Sequence, residues 1–383
     1  MAVSPLRVHV SDDILADLRA RLARSRFGDR SGHHPWDAGA DPDYLRDLVG
    51  SWAQGFDWRA RESALNAYPH YVADVAGRQL HFLHVPGRRP VGADAPPPLL
   101  LSHGWPSSFV EMLPLVDRLT DPAAFGDAVA PAFDVLVPSL PGFLYSELPH
   151  GPLTRASMAA TLHALMTDEL GYERYGAFGG DIGGAVTGWL GALHPDQVVG
   201  VHMIHPPFPG SFDDHPLTPA EQAFLDAEEA YDATDGGYSA MMETRPDTVA
   251  AALIDSPVGL AAWIVDKYRD WSDCGGDVET RFDRDTLLTI LTLYWATGTI
   301  GSSFRQYLDY RHNTPRPAIT VPAAFTLSTE PSMAGFPREI AERACTDVRH
   351  WNEPGRGGHF LPLEEPDLMA AELRGFFGSL GPG

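Results

Sequence analysis

The stretch Tyr175-Gly-Ala-Phe-Gly-Gly-Asp-Ile-Gly-Gly184, continuing as Ala185-Val-Thr-Gly-Trp-Leu-Gly-Ala-Leu193, decides how this chain is read. An apolar strand runs into a glycine-rich turn and then a helix, and the turn has the form Gly-x-nucleophile-x-Gly centred on Asp181. The glycines suit a strained turn at whose flanking positions side chains would collide with the adjoining strand and helix. Gly-Gly-Asp also makes ordinary turns. The strand-turn-helix context is what makes this one a nucleophile elbow, with Asp181 directed into a pocket.

Working outward, short apolar strands at Pro98–Ser102, Phe133–Pro138, Tyr175–Gly179 and Ile319–Leu327 alternate with longer helical segments. That rhythm predicts an α/β fold with a mostly parallel central sheet covered by helices. Between about Phe212 and Asn313 strand texture disappears, and patterns such as Pro257–Val265 and Leu287–Ile300 predict a helical cap inserted before strands resume. Upstream, Ser11–Arg24 and Asp43–Trp52 have helical spacing, Tyr71–Val75 and Leu80–Val85 alternate as a hairpin, and Pro86–Pro98 reads as a surface loop. The boundaries expected are 1–95 for an N-terminal region, 96–211 and 316–383 for the core, and 212–315 for the cap.

Composition narrows the partners. With 51 Asp and Glu against 28 Lys and Arg, the net charge of −23 disfavours nucleic acid and anionic membrane faces, and a neutral or apolar substrate is expected. Two cysteines, Cys274 and Cys345, lie outside any metal-ligand spacing, so free thiols in a reducing cytoplasm are expected, with no disulfide framework, metal or cofactor. The N-terminus lacks an uninterrupted apolar segment and no later window reaches 18 apolar residues, so neither a secretion signal nor a membrane anchor is expected. A homo-oligomer is left open.

The chemistry follows from the elbow. A carboxylate is already ionised at neutral pH and attacks an sp3 carbon directly, giving an alkyl ester; serine-type ester or peptide cleavage is thereby disfavoured. Hydrolysing that ester requires a base for water. His359, in Gly357-Gly-His-Phe360 after a strand expected over Val348–Trp351, has the position and chain order for it, whereas the other histidines lack that context. The orienting acid should follow the strand ending near Leu327, and Glu330 is the first carboxylate there. His103-Gly-Trp-Pro106 follows the first core strand, where this fold supplies an oxyanion amide, so the N–H groups of Trp105 and Ile182 are the expected oxyanion hole.

His103-Gly-Trp-Pro-Ser-Ser-Phe109, Ser139-Leu-Pro-Gly-Phe143, Gly179-Gly-Asp-Ile-Gly-Gly184 and Arg356-Gly-Gly-His-Phe360 together resemble the microsomal-type epoxide hydrolases over nearly the whole chain. The resemblance implies an α/β-hydrolase fold, with an N-terminal extension carrying Phe56-Asp-Trp-Arg59 and Leu65-Asn-Ala-Tyr-Pro-His70 that wraps on the catalytic domain. It also implies that Tyr238 and Tyr307 of the cap grip the epoxide oxygen, a role that suits phenols with a pKa near about 10. The implied reaction converts a small apolar or aromatic epoxide and water to a vicinal diol. Ile182 departs from the family in standing where an aromatic often follows the nucleophile, and Phe-Thr-Leu-Ser-Thr-Glu330 lacks the Phe-Pro that commonly precedes the acid. Met241 and Met242 replace the more usual pair near Tyr238 and suit either a pocket for a bulky apolar substrate or ordinary packing. The resemblance and the Ala, Gly, Pro and Arg-rich composition further imply an actinobacterial natural-product setting, such as enediyne biosynthesis.

Two other classes remain open on sequence. A haloalkane dehalogenase uses an Asp nucleophile on this fold but needs Trp or Asn halide donors in place of paired tyrosines. A non-catalytic ligand-binding hydrolase fold is the other, because a fold does not fix function.

Overall fold

The computed structural model describes residues 3–89 and 95–381. Nine strands form one sheet: β1 (Ser4–Leu6), β2 (His70–Val75), β3 (Arg78–Val85), β4 (Leu99–Ser102), β5 (Val135–Pro138), β6 (Tyr175–Gly179), β7 (Val198–Met203), β8 (Ala323–Thr326) and β9 (Val348–Asn352). Their order is β1-β2-β3-β5-β4-β6-β7-β8-β9. The three pairings among β1, β2, β3 and β5 are antiparallel and all the rest are parallel. The parallel strands are covered on both faces, which is why β4, β5, β6, β7 and β8 are buried at every position instead of alternating.

The α/β expectation holds, and its deviations have local causes. The segment expected over Ile319–Leu327 narrows to β8 because Pro322 interrupts it, leaving Ile319 in an isolated parallel bridge to Cys345. The helical pattern read over Leu287–Ile300 ends at Thr297, where Gly298 takes a left-handed cap at φ 65° and a separate short helix starts at Ile300. Strand β7 went unread because Gly200 and His202 break its apolar run. The hairpin β2–β3 turns through Ala76 and Gly77, both at positive φ. Positions 90–94 of the loop read over Pro86–Pro98 lie outside the described residues.

Between β7 and β8 the chain forms helices Pro219–Asp235, Gly237–Thr244, Pro246–Asp255, Pro257–Trp271 and Arg284–Thr297 and shorter turns, without a sheet strand among the described residues. The N-terminal helices hold this segment. Trp52 Nε1 donates to Thr292 Oγ1 at 2.9 Å, Arg284 pairs with Asp47 at 2.7 Å, and Tyr44 donates to Glu279 at 3.1 Å. Helix Pro42–Gln54 presents Leu45, Leu48, Val49 and Trp52 inward, capped by Asp41, as the sequence periodicity predicts. No single helix among the described residues is long and apolar enough to cross a membrane.

Register sets up the site. Ser102 pairs with Gly179, Gly179 with Met203, Met203 with Phe325, and Phe325 with Trp351, so β4, β6, β7, β8 and β9 end together. The loops leaving those ends share one edge, at the crevice where strand order reverses around β4.

Candidate active site

Five loops deliver the site: Trp105 after β4, Asp181 after β6, His205 after β7, Glu330 after β8 and His359 after β9. Asp181 takes φ 51° as the first residue of helix Asp181–Leu193. A Cβ on Gly183 would lie 2.1 Å from the Ser102 carbonyl oxygen, so glycine is what lets this helix approach β4. A Cβ on Gly104 would lie 2.5 Å from Asp181 Oδ1, so the neighbouring loop also has to be bare. The Trp105 N–H, one residue on, donates to Asp181 Oδ1 at 2.8 Å. Ile182 belongs to the first helical turn, whose amides lack intrahelical acceptors. Asp181 and both expected oxyanion donors thus lie at one corner.

Glu330 and His359 are both buried, and His359 Nδ1 bonds Glu330 Oε2. Burial disfavours a charged His359, but the charge and hydrogen bond of Glu330, with the charge of Asp181, outweigh it and lift its pKa to about 9. Burial likewise opposes ionisation of Glu330, yet its histidine partners hold it well below the usual carboxylate range. Glu330, the carboxylate expected to orient His359, is the one that the structure brings to its Nδ1. The His359 loop is itself held, because Glu364 accepts from the N–H groups of Gly358, Phe360 and Asp273 at 2.9, 3.1 and 2.8 Å. The His359 N–H donates to the Trp271 carbonyl at 2.8 Å.

His205 is the residue that sequence reading missed. The Asp181 N–H donates to His205 Nδ1 at 2.6 Å, and His205 Nε2 lies 3.1 Å from Glu330 Oε2. A backbone amide only donates, so Nδ1 must accept and the His205 proton sits on Nε2, pointing at Glu330. Glu330 thereby serves two histidines, and His205 ties the acid to the nucleophile's backbone. Reading β7 would have revealed it, because Gly179 pairs with Met203 and Asp181 and His205 lie two residues past that pair. The ligand-type atoms of His205, Glu330 and His359 lie within 4.8 Å of one another, but they are engaged with each other and with the Asp181 amide, as in a proton-handling cluster.

Tyr238 and Tyr307 enter from helices Gly237–Thr244 and Arg305–Leu308. Tyr238 stacks parallel on Trp105 with centroids 5.5 Å apart, and Tyr307 meets the same indole edge-on at 5.8 Å. Trp105 is therefore the plate against which both phenols are set. Burial, reinforced by neighbouring tyrosine and by Asp181, raises both pKa values, so both remain protonated donors. Met241 and Met242, expected in the pocket, are placed otherwise. Met241 is exposed, Met242 is fully buried in the core, and neither lines the cavities at Asp181. His103, buried and pushed down by that burial to about 4, accepts from the Leu140 N–H at 3.1 Å and joins the Gly-Trp-Pro loop to Ser139–Phe143.

Two cavities meet at Asp181. One, of about 170 Å³, is lined by Tyr238, Trp271, Glu330, His359 and the acids Glu228, Asp232 and Asp235. The other, of about 300 Å³, lies on the His205 side.

A helix-covered parallel sheet with a carboxylate on a nucleophile elbow, backed by a Glu–His pair, defines an α/β-hydrolase. Residues 97–237 match the alpha/beta hydrolase fold family, and residues 3–112 match the epoxide hydrolase N terminus. A Stigmatella aurantiaca protein, provisionally named an epoxide hydrolase, is 37% identical over 99% of this chain and 85% of its own length. Epoxide hydrolase 1 of Sus scrofa is 31% identical over 99% of this chain and 89% of its own. Juvenile hormone epoxide hydrolase from Bombyx mori superimposes with a TM-score of 0.85 at 27% identity, covering 99% of this chain and 94% of that one. The chain belongs to the epoxide hydrolase family, and it is a hydrolase.

Proposed function

We propose that this enzyme opens an epoxide to a vicinal diol through an ester on Asp181. The observation that carries the proposal is a single cavity walled by the carboxylate, the Tyr238 phenol and the Glu330–His359 pair. Asp181 attacks one oxirane carbon while Tyr238 and Tyr307 donate to the oxygen, and one of them protonates the alkoxide as the ring opens. His359, oriented by Glu330, then takes a proton from water as that water attacks the Asp181 carbonyl carbon. The N–H groups of Trp105 and Ile182 hold the oxyanion, and on collapse His359 gives its proton to the departing alkoxide, releasing the diol, while the proton of the Asp181 carboxylic acid restores the phenol.

In this scheme residues 212–315 act as a cap that brings both phenols over the carboxyl edge of the sheet, and residues 1–95 clamp that cap. Trp189, Trp271, Pro206, Pro207 and Phe208 give an apolar wall suited to an apolar or aromatic epoxide. Free, buried Cys274 and Cys345 suit a cytoplasmic setting. The natural-product context stands on composition and resemblance.

Halide release has one observation in its favour, since Trp105 Nε1 is buried and unpartnered. A halide assay on chloroalkanes separates the two activities. The direct test is a single turnover of excess enzyme with styrene oxide in 18O-water. The expected result is diol without 18O and one 18O on Asp181, because water attacks the ester carbonyl. Solvent 18O in the diol rejects the ester route.

A further inference from the structure

The cavity on the His205 side of Asp181 carries two arginines, Arg155 and Arg316. Acids outnumber bases 51 to 28, so a cation in this chain readily finds a carboxylate. Nearby Arg305 pairs with Asp309 at 2.5 Å, and Arg343 pairs with Glu221 at 2.5 Å and Asp214 at 2.7 Å. Arg155 and Arg316, like exposed Arg24, Arg174 and Arg245, have no carboxylate within ion-pair distance among the described residues, but these two line the cavity that holds Asp181. Arg155 reaches the Gln306 carbonyl at 3.5 Å and lies 4.9 Å over the Tyr310 ring. Arg316 donates to the carbonyls of Phe208 at 3.1 Å and Pro317 at 3.0 Å.

Both positions disfavour an uncompensated cation. Arg155 is the first residue of helix Arg155–Ala164, at the end where the helix field already carries partial positive charge. Arg316 is half-buried, and that burial lowers its pKa. The cavity across Asp181 is richer in acids, with Glu228, Asp232 and Asp235 in its wall beside the Glu330–His359 pair, although Asp235 is paired with Lys267 at 2.8 Å. The site is thus polarised, positive on one side of the nucleophile and negative on the other.

We propose that the substrate is an epoxide bearing a carboxylate, which docks at Arg155 and Arg316 while its apolar chain crosses Trp189 and Phe208 to the oxirane at Asp181. The polarity fixes orientation, since the acidic cavity repels that end and the guanidiniums offer planar donors that match it. The net negative charge of the chain predicts a neutral substrate only as an average, and this wall departs from the average. The inference rests on the epoxide hydrolase reading.

The experiment compares kcat/KM for two epoxides sharing one alkyl chain, ending in a carboxylate or in its methyl ester. The wild type is expected to favour the carboxylate by about tenfold or more, the scale of one charge-assisted hydrogen bond. Arg155→Gln and Arg316→Gln should each shrink that ratio, and Arg316→Lys should keep part of it if charge is what matters. A wild-type ratio near unity, or a ratio unmoved by either glutamine substitution, overturns the proposal. Calorimetry with octanoate, which has no oxirane, tests the anion site apart from turnover. If neither epoxide is turned over but octanoate binds the wild type and is lost from both glutamine variants, the anion site stands and the epoxide reading fails. Absence of octanoate binding to the wild type, or binding unchanged in both variants, overturns the anion site itself.

Discussion

Replacing His359 with glutamine should separate the two halves of the reaction. In the proposed mechanism the opening half, attack by Asp181 with Tyr238 and Tyr307 on the oxygen, does not use the imidazole; the second half requires it to take a proton from water. General-base assistance is worth about 10²–10⁴-fold, so kcat should fall by that factor while one equivalent of ester still forms. The structure also bounds the damage to the fold. Glu330 loses one partner but keeps His205 at 3.1 Å and Ser332, so the destabilisation should stay near the cost of one under-satisfied buried group, about 1–3 kcal/mol. Rapid quench followed by intact-protein mass spectrometry should show a stoichiometric adduct equal to the substrate mass, located on the Asp181 peptide. A variant that retains wild-type kcat, or one that is folded yet never accumulates the adduct, would refute the role given to His359.

Tyr238→Phe and Tyr307→Phe should each slow ester formation by about tenfold to a hundredfold, the worth of a hydrogen bond to developing charge, and the double variant by much more; stopped-flow rates decide, and a double variant with near-normal rates removes the phenols from the mechanism. Gly104→Ala puts a methyl 2.5 Å from Asp181 Oδ1 and should cost about 10²-fold or more in ester formation with the circular dichroism spectrum unchanged; retained activity would show that the loop yields freely. Because the His359 pKa rises from 6.5 to about 9 on folding, its contribution to stability is complete below pH 6.5 and is lost as pH climbs through 9. Wild-type Tm should therefore fall more steeply over that interval than the Tm of His359→Gln, and parallel curves would contradict the shift. In Asp181→Asn the imidazole should titrate below the wild-type value of about 9 by NMR, and an unchanged titration would show that Asp181 does not influence it.

Much of this was legible because it rests on local chemistry. The elbow announces itself since no side chain fits at Gly183, and the order of Asp181, Glu330 and His359 follows the order of the strands. Tyr238 and Tyr307 were reachable only through resemblance, because nothing local distinguishes a phenol aimed at a nucleophile from one packed in a core. His205 stayed hidden since its meaning depends on register across β6 and β7, and β7 has a polar residue inside its buried run. Met241 and Met242 show the converse, where proximity in sequence to Tyr238 suggested a shared pocket, yet Met241 is exposed and Met242 is packed in the core. The arginine pair was invisible for the same reason as His205, since Arg155 and Arg316 are brought to one cavity by elements 161 residues apart.

In the proposed mechanism one histidine serves a reaction whose first step does not use it, and the electrostatics suit that division. In the resting enzyme Glu330 and Asp181 both favour the imidazolium, and a protonated His359 cannot act as a base. In that mechanism attack on the oxirane converts the Asp181 carboxylate into a neutral ester, so one of the anions that raise the His359 pKa, beside Glu330 and Glu111, disappears as the intermediate forms. The His359 pKa then falls, which favours the free base at the step that needs it. Glu330 retains its charge throughout, because its bonds to His205 and His359 remain. His205 accepts from the Asp181 backbone and not from its carboxylate, so its hold on the elbow persists when the carboxylate is esterified. In the proposed cycle the acid is shared between a histidine that changes protonation and one that holds the turn, which keeps the geometry constant while the charge at Asp181 changes.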